Sequence, residues 1–387
     1  MAVFKEFSSD DIKSSRSFLN QLVDILGTDV SSSSTRKLYQ VFVTGGLGPG
    51  VTSSLFQTVF DQDFTLQTAN AVMDITFGFH AESPVVTSLN PIIDSNGKYL
   101  FPNTSLMMRE KMDIYRSFAQ QLLGDQDAIF TAQSGSVTNE IKEALFIAFK
   151  RLFARDQIKR ETFAIRIAPT GALVVGQGQN ISRHGSGSLI LTDINSSTNK
   201  FFTFGGQVST VVNSANTAQP LGLLFLDRGV LVLDMSRSFD QARLITGSIK
   251  SAATTNGIAP NMSASLMRFA ASASIDDFLD HICTTRFTSS AQTSITFQNV
   301  TNINSTLFFC RVAADEANYS SNPTFIDSNN RIVVIDEGQE ETQRTFTFIT
   351  SIGLYDAYDN LLGVAKLSRP VLKDDERDLT FKVRLDY

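Results

Sequence analysis

The sequence predicts an α+β chain rich in β-structure: antiparallel sheets or a sandwich, one helical hairpin, and a C-terminal three-stranded meander. Three observations carry this. Short segments with period-two alternation recur along the chain and dominate after Glu161. Two segments between Ser105 and Ile158 instead place apolar residues at helical spacing. The ending, "SIGLYDAYDNLLGVAKLSRPVLKDDERDLTFKVRLDY", keeps alternating apolar and polar residues up to Tyr387.

Taken in order, Ser9–Leu26 approximates helical spacing through Ile12, Phe18, Leu19, Leu22, Val23, Ile25 and Leu26, with Ser8 or Ser9 as cap and Gly27 as stop. "KLYQVFVTGG" reads as a strand entering a turn. "GGLGPGVTSS", Gly45–Ser54, reads as a loop: it lacks the Lys-Ser/Thr pair of a phosphate loop, and Pro49 removes an N–H that an anion site wants. Ser53–His80 reads as two strands joined near Asn70, and Ala81–Tyr99 as loop and turn. "SLMMREKMDIYRSFAQQLLG" predicts a helix that Thr104 or Ser105 caps and Gly124 ends, its Met107, Met108 and Met112 stripe read as core. "NEIKEALFIAFKRLFARDQI" predicts a second helix with an apolar stripe from Ile141 to Phe153, which completes a helical hairpin over Ser105–Ile158.

Strand signals follow in "TFAIRIAP", "GSLILTDI", "KFFTFGG" and "LGLLFLDRGVLVLDM", the last read as two buried strands about an Asp227–Gly229 turn. "SAATTNGIAPNMSAS" reads as an exposed loop, and "SIDDFLDHICTTRF" as a short helix capped by Ser274. From Ser294 the reading is β throughout, including "RIVVIDE". The final meander has a turn at Asp356–Asn360, a strand stopped by Pro370, and a last strand alternating Leu379, Phe381, Val383 and Leu385. These elements group as residues 1–104, a helix with β segments; 105–160, the helical hairpin; 161–290, a β-rich middle; and 291–387, an antiparallel β region.

The chain has 387 residues, enough to bury a sizeable core, with 42% hydrophobic and 19% charged residues, a globular balance. A net charge of −6 argues against a nucleic-acid binder, which needs clustered Lys and Arg on phosphate. Two cysteines, Cys283 and Cys310, make no disulfide framework and suggest a reducing cytoplasm. "MAVFKEFSSDDIKSSRS" does not read as a signal peptide, and no apolar run approaches the ~18 residues of a membrane span. The aromatic set is 31 Phe, 7 Tyr and no Trp, which favours packing over small-ligand recognition.

Candidate chemistry is thin. Asp277, Asp280 and His281 share a helical turn, but a metal would need further ligands, so a capped, solvated helix end is the reading. His281 and Cys283 point in different directions on a helix, and Cys283 reads as a buried structural residue. Asp61 and Asp63 would do acid–base work only beside a cleft and read as loop acids. "RHGSGS", Arg183–Ser188, lacks a hydrolase elbow and reads as a turn. The basic run Lys150, Arg151, Arg155, Lys159 and Arg160 reads as a solvated helix face or a contact with an acidic partner. No catalytic residue, cofactor site or metal site is expected, and no small-molecule substrate.

The ending "GLYDAYDNLLGVAKLSRPVLK" followed by "VRLDY" resembles a hairpin and final strand that recur in tailed-bacteriophage structural proteins. Other blocks, among them "STRKLYQVFVTGG", "VTSSLFQTVFDQDFTLQTAN", "LFPNTSLMMREKMDIYRSFAQQLLGD", "EALFIAFKRLFARDQIKRETF", "INSTLFFCR" and "NYSSNPTFIDSNNRIVVIDEGQE", are similar to virion structural proteins of T4-like contractile-tailed phages of marine and cyanobacterial hosts. The resemblance covers most of the chain and is least around Gly171–Ser188 and Ser251–Phe269. It implies a virion location and a structural subunit of the tail or a baseplate wedge, with no catalytic residues to carry over. Its expected partners are other virion proteins and copies of itself, with no nucleic acid and no membrane. A head, neck or decoration protein, a fibre-connecting or receptor-binding module, and a virion hydrolase using Asp61 and Asp63 are the alternatives. Leu379, Phe381, Val383, Leu385 and Tyr387 are the expected assembly contacts, because a regular terminal strand either completes its own sheet or adds to a neighbour's edge.

Overall fold

The computed structural model describes residues 4–32, 34–42, 52–63, 68–87, 92–93, 99–100, 106–175, 181–194, 196–197, 200–239, 266–287 and 293–387. The Gly-rich 45–54 loop lies mostly outside these residues, and the low-complexity 251–265 loop lies wholly outside them. The chain is β-rich with a few helices, as the α+β reading expects. It divides into two compact units: Asn20–Thr301, and Met1–Leu19 with Asn302–Tyr387.

The strands include β1 (Ile12–Leu26), β2 (Arg36–Phe42), β3 (Thr52–Asp63), β4 (Thr68–Phe79), β5 (Phe130–Ser134), β6 (Val137–Ile141), β7 (Glu143–Phe149) and β8 (Ala164–Ile167). They continue as β9 (Leu189–Thr192), β10 (Gly206–Asn213), β11 (Asn216–Phe225), β12 (Val230–Asp234), β13 (Thr293–Val312), β14 (Thr347–Tyr355), β15 (Leu361–Lys373) and β16 (Leu379–Asp386). The described α-helices of seven residues or more are α1 (Leu106–Leu123), α2 (Leu266–Ser272) and α3 (Ile275–His281).

In the larger unit one antiparallel sheet runs in the order β13-β8-β9-β10-β11-β12-β7-β4-β3-β2. Its central strands are buried on both faces. β12, "VLVLD", is buried at every position, and β7, "EALFIAF", at all but one. Ala144 and Phe146 join Tyr115 of α1 and Phe130 of β5 in one core cluster, while Leu145 and Ile147 join Phe278 and Leu279 of α3 in the other. The alternation along β7 thus divides its side chains between two apolar layers. The α1 backbone comes so close to β4 that a Cβ on Gly78 would lie 2.6 Å from the Lys111 carbonyl oxygen. A side chain there would force the helix off the sheet.

Several expectations need correction. Ser9–Leu26 is a strand after a single 3-10 turn at Ser9–Asp11. Val23 and Ile25, two apart, are its buried apolar pair, whereas Phe18, Leu19 and Leu22 are exposed; pairing with β13 overrides the approximate helical spacing. Residues 139–158 hold β6, β7 and one helical turn, Arg151–Ala154, so the helical hairpin of 105–160 does not exist. Good helix formers here occupy a central strand because burial on two faces outweighs propensity. α1 itself forms as expected, with Met108 and Met112 in the core and Gly124 at φ 86° just past its end. α3 also forms, and the Ser274 hydroxyl accepts the Asp277 N–H.

In the smaller unit, "RIVVIDE" is turns with one isolated Ile326–Ile332 bridge rather than a strand. The meander is not three-stranded either: β14 pairs with β15, but β16 pairs with β13. Nor does Pro370 stop the second strand. β15 continues to Lys373, because Leu367–Pro370 bulge out opposite Thr350 and take the proline out of the ladder.

Candidate functional site

An active site in the larger unit would recruit its buried polar groups. Lys111, at zero exposure, sends its Nζ to the carbonyl oxygens of Ala270 at 2.6 Å, Ala271 at 3.1 Å and Ala273 at 2.7 Å. Burial pushes its pKa down to about 8, so it is an ammonium at neutral pH with three donors for three acceptors at the α2 C-terminus. Asp193 accepts the backbone N–H groups of Glu161 and Phe163, and burial raises its pKa. Asp234 accepts from the Asn139 amide at 2.7 Å and from the Ser236 backbone at 2.9 Å. His80 accepts the Glu82 N–H on Nδ1 and donates from Nε2 to the Asp127 carbonyl, and burial lowers its pKa. Each of these groups satisfies neighbouring backbone.

The sequence candidates are likewise committed to structure. Asp280 pairs with Arg36 at 2.9 Å, and Arg36 also donates to Gln57 at 2.6 Å. Nε2 of His281 accepts from Arg286 at 3.3 Å, and Asp277 lies in the first turn of α3. Cys283 is fully buried, with its thiol pushed up to about 11 by that burial. Asp61 pairs across to Asn70 in the β3–β4 ladder, and Asp63 to Thr68. Residues 181–186 of "RHGSGS" and its approach form a strand paired with Thr170–Val175, not a turn. The basic run is not one helix face: Lys150 pairs with Asp74, Arg151 with Asp156, and Arg160 donates to Gln207 and to the Ser196 carbonyl. Among the described residues no group of three His, Cys, Asp or Glu side chains could hold a metal, and no helix is long and apolar enough to cross a membrane.

The expected contact strand is paired inside the chain. Leu385 stands opposite Thr306, Val383 opposite Phe308, Phe381 opposite Cys310 and Leu379 opposite Val312. Tyr387 exchanges both backbone bonds with Asn304, so the odd-numbered residues of β16 aim their N–H and C=O groups at β13. The even-numbered ones, Thr380, Lys382, Arg384 and Asp386, aim theirs at the outer edge, where no described strand pairs. Val383 is buried, Leu379 and Phe381 are half-buried, Leu385 is exposed and Tyr387 is 75% exposed.

The feature that stands apart is the β14–β15 hairpin. Ser351 opposite Lys366 and Gly353 opposite Val364 place those four residues on one face, which Tyr355 continues. The other face, with Thr347, Ile349, Ile352, Leu354, Ala365 and Lys373, is buried or half-buried. At the base, the Lys373 Nζ donates to the Ala314 carbonyl and to Asn318, and Thr347 donates to the Ala317 carbonyl. At the tip, the Asp356 carboxylate accepts from the Tyr358 and Asn360 backbone and from the Asn360 amide, which holds its pKa below the usual range. Phe4 packs edge-on to Tyr355, with ring centres 5.5 Å apart.

Beyond Ser351 and Lys366 the uncovered face is apolar. Phe348 and Val364 are each 55% exposed, Tyr355 43% and Leu372 37%, and Leu361 and Leu362 are exposed beside them. The Tyr355 ring lies across Gly353 and flattens the face. A cavity of about 360 Å³ opens at the bulge, lined by Thr350, Ser351, Lys366, Leu367 and Pro370. Alternation in the sequence marked the strands, but it could not say which face would stay uncovered. The chain was compared with protein-family models, with curated proteins and with solved structures, and none of the three comparisons found a match.

Proposed function

We propose that the chain is a structural subunit of a tailed-phage particle, placed in the tail or baseplate, which acts by burying surface against its neighbours rather than by catalysis. The observation that carries this reading is the apolar, uncovered face of the β14–β15 hairpin. A two-stranded hairpin is marginal alone in water, and clustered exposed apolar side chains mark contact sites. The same hairpin holds the "GLYDAYDNLLGVAKLSRPVLK" stretch on which the phage resemblance rests. The buried Lys111, Asp193 and Asp234 support the reading too, since each is engaged in holding backbone.

The test is gold-labelled antibody against this chain on intact particles of the phage that encodes it, viewed by electron microscopy. Label at the tail tip is the expected result. Label over the head would replace the tail assignment with a capsid or decoration role. Particles without label would remove the virion reading.

A further inference from the structure

The hairpin has a charge order along its length. Its tip carries Asp356 and Asp359. Lys366, on the uncovered face, and Arg369, in the bulge, lie toward its base. Three of the four acids of the next turn are already matched, Asp375 and Glu376 by Arg344 and Asp374 by Arg377. Among the described residues, no ion pair engages Lys366 or Arg369, and none engages Asp359. Between the acidic tip and the basic base lie the exposed apolar residues Tyr355 and Val364.

We propose that the occupant of this face is the same face of a second copy of the chain, packed about a two-fold axis so that the tip of each hairpin meets the base of the other. The proposal rests on the assembly reading above and names its partner. A two-fold contact is self-complementary: if Asp359 of one copy meets Lys366 of the other, the converse pair forms as well. The register fixes where the axis passes. Lys366 is level with Ser351, and the tip lies just beyond Tyr355. At roughly 3.4 Å per residue the two charges are on the order of 15 Å apart along the hairpin. The midpoint falls at Gly353 and Val364, where the face is apolar and the Tyr355 ring covers the glycine. The charges set register at the rim while the centre excludes water. One hairpin face is smaller than the roughly 800 Å² per partner of a standard interface. The isolated dimer is therefore weak, and the crowding of a particle drives it to completion.

Sedimentation equilibrium over a wide concentration range tests this on the full chain. A monomer–dimer equilibrium is expected, with the affinity lowered by about tenfold or more in Lys366→Glu, where like charges are forced together. Asp359→Asn suits the left-handed φ of 62° at this position. It is expected to weaken the unmodified dimer but to strengthen the Lys366→Glu dimer, because there it removes a repulsion. A short thiol–thiol crosslinker should join Val364→Cys to itself across the axis, in a Cys310→Ser background, and leave Phe348→Cys unjoined. A monomer at every concentration overturns the proposal, as does a dimer indifferent to Lys366→Glu or without the reversal of sign. The assembly reading is judged separately by gold label on particles, so the two can fail independently.

Discussion

The two units bury their strands differently. In the larger one, β7 and β12 are inaccessible almost throughout, and aromatic rings interlock, as Phe118 does on Phe146 with centroids 4.2 Å apart. In the smaller one, β15 has a single buried position, Lys373, and the exposed members of its alternation include Leu361, Leu362, Val364 and Leu372. Both are built from antiparallel strands. The central strands of the larger unit bury their apolar side chains, although Phe202, Phe204, Leu22 and Leu152 stay exposed elsewhere in it, and the smaller unit holds its hairpin by anchors at base and tip and leaves an apolar face outward. On the proposed assembly reading, the central sheet serves folding and the hairpin face serves contact.

The contrast can be broken by mutation, and the largest effect belongs to the interior. Phe146→Ala removes a ring packed against Tyr115, Phe118 and Phe130 and is expected to cost about 3–5 kcal/mol in denaturant unfolding. A loss below 1 kcal/mol would mean the layer is not close-packed. Lys111→Met keeps the volume but strips three carbonyls of their donor, with an expected loss of roughly 1–3 kcal/mol. If the variant were more stable than the parent, the ammonium would be a burden that burial of an apolar chain relieves.

His80 sharpens the comparison through pH. Its folded-state pKa is lowered, chiefly by burial, so the neutral ring is favoured in the fold. The stability it contributes is fully present above its unfolded pKa of about 6.5 and is lost as pH falls through the lower folded value. Thermal melts of the parent and of His80→Asn from pH 7.5 to 5 should show a steeper decline in the parent. Parallel declines would assign the loss to other groups. The smallest effect on stability is expected on the uncovered face. Val364→Ser should shift unfolding by no more than about 0.5 kcal/mol, since the position is open to water. A larger loss would mean the face is covered within the chain.

How much was legible follows the same divide. Helices α1 and α3 were readable because their caps, stops and apolar spacing are local: Gly124 ends one, and the Ser274 side chain opens the other. β7 was misread because Ala144–Phe149 lies within an approximate helical spacing, and the strands that pair with it, β4 and β12, are distant in sequence. β1 was misread for the same reason, its partner β13 lying at the far end of the chain. Alternation located the ends of β14 and β16 closely, but pairing is not written in alternation. β16 joins β13 rather than β15, so the expected contacts at Leu379, Phe381 and Val383 are largely occupied at home. The uncovered face of the neighbouring hairpin was not found, since exposure depends on what does or does not pack over a strand.

The most direct measurement is quantitative mass spectrometry of purified particles from cells that supply either the parent chain or the Leu362→Ser, Val364→Ser variant to a phage lacking its own copy. The account predicts that the parent chain is incorporated at a fixed copy number, while the variant, equally stable and equally abundant in the cell, is absent or strongly depleted. Equal incorporation of the two would contradict the claim that this face is how the chain assembles.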